Sequence, residues 1–281
     1  MISASRSQRR WFNLLIIVVL SFGAILAVGP LLYMVSTSFK ANAYVQSFPP
    51  QLLPTNPTIN NFVTAFTSRN FAQAFLNSVF VAGSTTIIVV ILTTMMAYAF
   101  ARFDFVGKNI IFYSMLGMML IPAVVLLIPQ FILAKNLGLI NSLPGLILVY
   151  SAGPLAFNTF LLRGFFENLP RELEESAVID GANSFTIFWR IMIPLSTPAV
   201  STVAVFSFLG SWDEYLLALN FLTDESKRTL PIAIANFRGV HATDWGLVFA
   251  ASLTAVIPTI LLFIFFQRYF IQGLTSGAVR G

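Results

Sequence analysis

Six apolar stretches, each close to or beyond the roughly 20 residues that carry a helix across about 30 Å of hydrocarbon, dominate this chain. They lie near residues 11–35, 77–100, 109–134, 144–162, 197–221 and 245–266. A helix satisfies its own backbone N–H and C=O groups inside a bilayer, and runs of this length are those of spanning helices. The remainder cannot clothe a water-facing globule. Of 281 residues, 57% are hydrophobic and 10% charged, where soluble domains carry about 25% charge. The sequence therefore predicts an all-α membrane protein with six transmembrane helices. Arg6, Arg9 and Arg10 precede the first stretch as in a secretory signal, but its apolar run exceeds the about 7–15 residues of such a segment. A retained first span follows.

Several chemistries are excluded at once. Cysteine is absent and His241 is the single histidine, which removes disulfides, thiolate metal sites, His clusters and catalytic triads. The net charge of +5 comes without any basic run of the length that nucleic-acid patches need. No G-x-x-x-x-G-K-[ST] loop is present to cradle ATP, so neither cofactor nor enzymatic hydrolysis is expected in this chain. The spans also lack the acidic or histidine relay of a proton-coupled pump.

Orientation follows from the sixteen Lys and Arg. With the N-terminus inside, Arg6, Arg9, Arg10, Arg102, Lys108, Arg163, Arg171, Arg190, Arg268 and Arg280 are cytoplasmic, against Lys40, Arg69, Lys135, Lys227, Arg228 and Arg238 outside. The positive-inside rule then places both termini in the cytoplasm. Residues 36–76, 135–143 and 222–244 become extracytoplasmic, and 163–196 a cytoplasmic loop. Pro49, Pro50, Pro54 and Pro57 make the first of these unsuited to regular helix. No soluble domain fits in any loop, so residues 1–281 read as one membrane domain.

The cytoplasmic loop is unusually structured. Pro170 suits a helix start, and Glu172, Glu174 and Glu175 favour the positive end of that helix. Gly181 reads as an elbow, Asn183 or Ser184 as a second N-cap, and Pro194 as a stop. Leu173 and Ala177 would line one apolar stripe, and Phe185, Phe188 and Trp189 another. A hairpin lying on the membrane would account for the aromatics but not for the acids, which gain nothing beside an anionic leaflet. An acidic helix pair projecting towards a protein partner accounts for both.

Glu175-Ser176-Ala177-x₃-Gly181-x₉-Ile191-x-Ile193-Pro194 resembles the signature loop of ABC-importer permeases, usually E-A-A-x₃-G-x₉-I-x-L-P, with Ser176 and Ile193 as departures. Leu162-Arg163-Gly164-Phe165-Phe166, Ser211-Trp212-Asp213-Glu214-Tyr215 and the tail Gln267-Arg268-Tyr269-Phe270 to Gly281 are similar to the carbohydrate, maltose-type branch. Asp213 departs from the Asn more usual there. The similarity covers most of residues 160–281.

This resemblance implies the type I importer permease fold in a bacterial or archaeal plasma membrane. It implies a subunit that forms half of a sugar-translocation path. The implied partners are a second homologous permease, two copies of a cytoplasmic ATPase carrying ATP and Mg, and an extracytoplasmic sugar-binding protein. Glu175, Ala177 and Gly181 would be the core of the coupling loop, supported by Glu174, Ser176, Asp180, Ile191 and Pro194. Gly273, Thr275, Gly277 and Gly281 would reach the ATPase as a tail. A permease for another solute, such as glycerol phosphate, or an ATPase-independent secondary transporter, are the alternatives.

Candidates for the solute path are few. Asp213 and Glu214 are the only ionisable residues inside a predicted span, where each would cost at least about 2.5 kcal/mol at the bilayer centre. They line an outer mouth or form a polar helix end. Trp212 and Tyr215 stack on a sugar or anchor at the interface. The amides of Gln130 and Asn158 bind hydroxyls or bridge helices. Pro122, Pro129 and Gly153-Pro154 predict kinked or broken spans.

Overall fold

A computed structural model describes residues 6–41, 51–68, 70–238 and 243–278, with side chains from residue 11 to 268 within those ranges. His241, Pro49, Pro50, Arg69, Arg280 and Gly281 lie outside the described residues. Among the described residues the structure is helical, with only isolated bridges at Lys40–Pro57 and Arg238–Thr243. The chain divides into two compact units, residues 1–69 with 234–255, and residues 70–233 with 256–281.

The first unit contains the Arg6–Ser38 helix, which from Trp11 onward carries apolar side chains on every face. None of its most apolar window is buried by the chain. A helix with no polar face belongs in hydrocarbon, so this one meets the requirement for a span. The connection after it is not wholly irregular, contrary to its proline content. The Asn60–Thr67 helix forms there because it begins beyond the last proline, Pro57. Asn61 stitches this helix to the end of the first one, its Nδ2 donating to the carbonyls of Ser38 and Lys40 at 2.8 Å each. The Trp245–Ala278 helix opens in this unit, with Phe249 edge-on to Tyr33 at 6.4 Å, and continues well past the expected end near residue 266.

The second unit is built on the Phe71–Arg102 helix, against which Leu143–Ala152, Leu155–Glu167 and Thr197–Trp212 pack. Among the described residues of the chain, three helices are singly long and apolar enough to cross a membrane, or up to six if each bent pair is one span. Lys108–Met118 and Ala123–Asn136 meet at 97°, and Leu143–Ala152 and Leu155–Glu167 at 50°. Pro122 and Gly153-Pro154 lie at these two bends, as the sequence predicts. Pro129 does not break its helix. It falls in the first turn of Leu127–Asn136, where the missing N–H has no intrahelical partner to lose.

The apolar stretch 197–221 is not one helix, contrary to the sequence expectation. Thr197–Trp212 ends at Asp213, and a separate Leu216–Phe221 helix follows. Glu214 causes the restart. Its Oε1 accepts from Leu217 N at 2.8 Å and its Oε2 from Ala218 N at 3.0 Å, satisfying donors that a continuous helix would have used internally. Asp213 is therefore a helix-end residue, not one well inside a span. At its other end Thr197–Trp212 is bent by 80° from Ser184–Leu195.

Two apolar cores hold the second unit. One joins Tyr98, Phe166, Ala177, Phe188, Met192 and Val203. The other joins Val81, Ala134, Leu146, Tyr150, Phe221 and Ile232. At the far end of the unit, Asn141 adopts a left-handed φ of 56° and ties two loops together. Its Oδ1 accepts from Thr223 N and Asp224 N at 3.2 and 3.1 Å, and its Nδ2 donates to Asp224 Oδ2 at 2.8 Å.

Candidate functional site

The loop forms two helices, as expected, Glu172–Ile179 and Ser184–Leu195, but Pro194 does not stop the second: it lies inside it, and the helix ends only at Leu195. Between them the chain makes a full Schellman turn. Ala182 N bonds Ala177 O at 2.9 Å, and Gly181 N bonds Val178 O at 3.0 Å. Gly181 sits at φ +84°, a backbone region that costs other L-residues roughly 1–2 kcal/mol. Asn183, rather than Ser184, is the second N-cap, its Oδ1 accepting from Thr186 N at 2.8 Å. Phe188–Met192 forms a π-helical turn, a rare geometry enriched at functional positions.

The apolar stripes are distributed differently from the sequence expectation. Ala177 and Phe188 turn inward to the core, while Leu173, Phe185 and Trp189 are exposed. The Phe185 and Trp189 rings touch edge-to-face at 6.2 Å. The helical period alone does not say which flank of a short helix meets the bundle; contacts with Tyr98 and Phe166 decide it. Ile179 is 86% exposed, and Val178, Glu175, Ser176, Asp180, Gly181 and Pro194 are exposed beside it. Ile191 is half-buried against the core.

Glu174 behaves unlike its acidic neighbours. Its Oε1 pairs with Nε of Arg102 and its Oε2 accepts from Tyr98 OH at 3.1 Å. The side chains of Arg102 and Glu174 are only 7% and 15% exposed. In the sequence Arg102 registers only as a topology marker, and Tyr98 carries no signal within its apolar stretch.

A cavity of about 510 Å³ opens within the second unit, lined by Met118, Pro122, Gln130, Tyr150, Gly153, Pro154, Ser207, Gly210, Ser211 and Glu214 among others. The two helix breaks thus face one space, which suits irregular backbone at membrane depth. Of the path candidates, Gln130 and Glu214 line it. Asn158, 1% exposed, stands behind, its Nδ2 donating to Ser207 Oγ at 3.2 Å. Trp212 is 2% exposed and packed between Phe75 and Phe208, at 5.8 and 5.5 Å, and Asp213 and Tyr215 are exposed; none of the three is among the cavity-lining residues. Tyr150 OH donates to Glu214 Oε2, a contact without a sequence signature. Among the described residues no group of His, Cys, Asp and Glu could hold a metal. The tail residues Gly273, Thr275 and Gly277 continue the Trp245–Ala278 helix, and Gly281 lies outside the described residues.

Comparison with known proteins joins these features. Residues 90–276 match the family described as binding-protein-dependent transport system inner membrane component. The diacetylchitobiose uptake system permease protein NgcG of Streptomyces coelicolor is 36% identical over 279 residues, 99% of this chain and 92% of that protein. The trehalose/maltose transport system permease protein MalG of Thermococcus litoralis is 33% identical over 261 residues, 92% of this chain and 93% of that protein. A chain of a bacterial ABC transporter involved in import of the acidic polysaccharide alginate superposes with a TM-score of 0.85 at 25% identity, covering 96% of this chain and all of that one.

Proposed function

The chain belongs to the family of inner-membrane components of binding-protein-dependent transport systems, as a multi-pass plasma-membrane protein, and from that premise we propose that it is the permease subunit of an ATP-driven sugar importer. The observation that carries this reading is the loop. The Glu172–Ile179 and Ser184–Leu195 helices are fastened to the bundle on one side and present carboxylates and apolar side chains on the other. Such a surface fits a protein groove: exposed Ile179, Phe185 and Trp189 supply buried area, and Glu175 and Asp180 supply direction.

In this reading residues 1–281 are one permease domain with both termini and residues 163–196 cytoplasmic. The loop docks on an ATPase that supplies ATP and Mg. Glu175, Ser176, Ala177, Asp180, Gly181, Ile191 and Pro194 form or support the docking element, Glu174 braces it, and the Gly273–Gly281 tail reaches the same partner. A second homologous permease completes the path, a second ATPase copy completes the engine, and an extracytoplasmic binding protein delivers solute to residues 36–76, 135–143 and 222–244. Sugars are supported by the relatives' substrates and by the cavity, whose polar groups are hydroxyls, an amide and one carboxylate, with no Lys or Arg lining it. That lining suits a neutral polyol better than glycerol phosphate.

The test is reconstitution. The chain co-expressed with partner permease and ATPase should purify with two ATPase copies, and liposomes should take up labelled oligosaccharide only with ATP and loaded binding protein. Uptake by this chain without nucleotide would overturn the importer reading. Competition by glycerol phosphate but by no sugar would overturn the solute class.

A further inference from the structure

We propose that Arg102 and Tyr98 are positioning residues that clamp the loop to the cytoplasmic end of the Phe71–Arg102 span, so that a displacement of the loop is delivered to that span. The inference rests on the ATPase-docking reading and names the device by which docking would be transmitted.

Arg102 grips the loop at two places. Nε pairs with Glu174 Oε1, and Nη2 donates to Leu169 O at 2.9 Å, holding both the entry to the loop and its first helix. Tyr98, four residues earlier and so on the same helical face, donates to the other Glu174 oxygen at 3.1 Å. Its ring meets Phe166 at 6.1 Å and Phe188 at 5.2 Å. The last turn of one span therefore holds the end of another span and both loop helices.

The chemistry of the clamp matters because apolar contact is non-directional. A loop held by dispersion alone can slide or rotate on its seat. A planar guanidinium that forks between a carboxylate and a carbonyl fixes orientation as well as distance. The low exposure of the pair keeps salt from screening it. Glu172 and the docking acid Glu175 lie on either side of Glu174 in sequence yet are exposed, so one turn divides its carboxylates between the outer surface and the bundle. Without the clamp, motion imposed on the loop would be taken up at the Gly181 elbow and the π turn.

Cysteine substitution offers a direct test, because the chain has no native cysteine. The complex carrying Arg102→Cys with Glu174→Cys is reconstituted, and ATPase retention, ATP turnover and solute uptake are measured before and after a short bifunctional thiol cross-linker. A complex with the unsubstituted chain is treated alike. The expected result is full ATPase retention with solute moved per ATP reduced about tenfold, and recovery of most of that loss on bridging. Transport per ATP at the wild-type level before bridging, or no recovery after it, overturns the proposal. If the double variant does not assemble, Arg102→Lys, which keeps the charge but loses the fork, and Tyr98→Phe should each lower transport per ATP about twofold to threefold. Unchanged coupling in both overturns it equally. Absence of ATPase from the wild-type complex would instead refute the docking reading itself.

Discussion

Tyr150 donates its phenol proton to the carboxylate of Glu214, 64 residues further along the chain, and the same carboxylate accepts the N–H groups of Leu217 and Ala218. One acid thus ends a span, starts a short helix, ties it to Leu143–Ala152 and lines the cavity.

Removing that acid leaves a buried hydroxyl and two helix N–H groups without an acceptor. Glu214→Ala is expected to lower stability by about 3 kcal/mol, while Glu214→Gln, which keeps an acceptor, and Tyr150→Phe should each cost about 1 kcal/mol. Thermal unfolding of the purified complex checks the order. Equal losses for Ala and Gln would show that the acceptor role is not what matters.

At the elbow the requirement is conformational, since nothing lies within 4 Å of a Cβ built on Gly181. Gly181→Val should weaken ATPase retention because a β-branched residue resists φ near +84°. Gly181→Asn should retain most of it, as Asn tolerates the left-handed region. Pull-down of the ATPase by each variant distinguishes backbone strain from lost space.

Gly145 presents the opposite case. A Cβ there would lie 2.1 Å from Leu139 O and 2.7 Å from Ser142 Oγ, against backbone that cannot yield cheaply. Gly145→Ala should cost about 1–3 kcal/mol by overpacking, read as a fall in unfolding temperature. A neutral result would mean the 139–145 turn can open.

The loop brace at Asn141 predicts a pH dependence. Hydrogen bonds from Asn141 and Lys227 hold the Asp224 carboxyl below the usual aspartate range. A depressed folded value means the stabilisation is present above the ordinary aspartate pKa and is lost as pH falls through the lower folded one. Proteolytic protection of residues 222–229 should therefore persist at pH 7 and weaken on acidification in the wild type. In Asn141→Ala it should be low throughout. Equal protection in both at pH 7 would refute the brace.

Much of this was legible along the chain. Apolar run length marked the long apolar helices, Pro122 and Gly153-Pro154 marked two bends, and Gly181, with Asn183 or Ser184, punctuated the loop. Those signals act over a few residues, through solvation and local dihedral preference, so they survive in a linear reading. Pro129 and Glu214 show the limit: a proline is harmless in a first turn, and an acid ends a span only if it finds N–H groups and a phenol to bond.

The sequence by itself determined that the chain crosses the membrane as helices and carries a two-helix acidic loop, because burial in hydrocarbon and φ/ψ restrictions are properties of short segments. Tertiary structure alone decided which loop acid faces inward. Glu172, Glu174 and Glu175 are alike as residues, and only Glu174 meets Arg102 and Tyr98, 72 and 76 residues away. A carboxylate's role is fixed by the charges and donors that surround it, and folding brought those from distant parts of the chain.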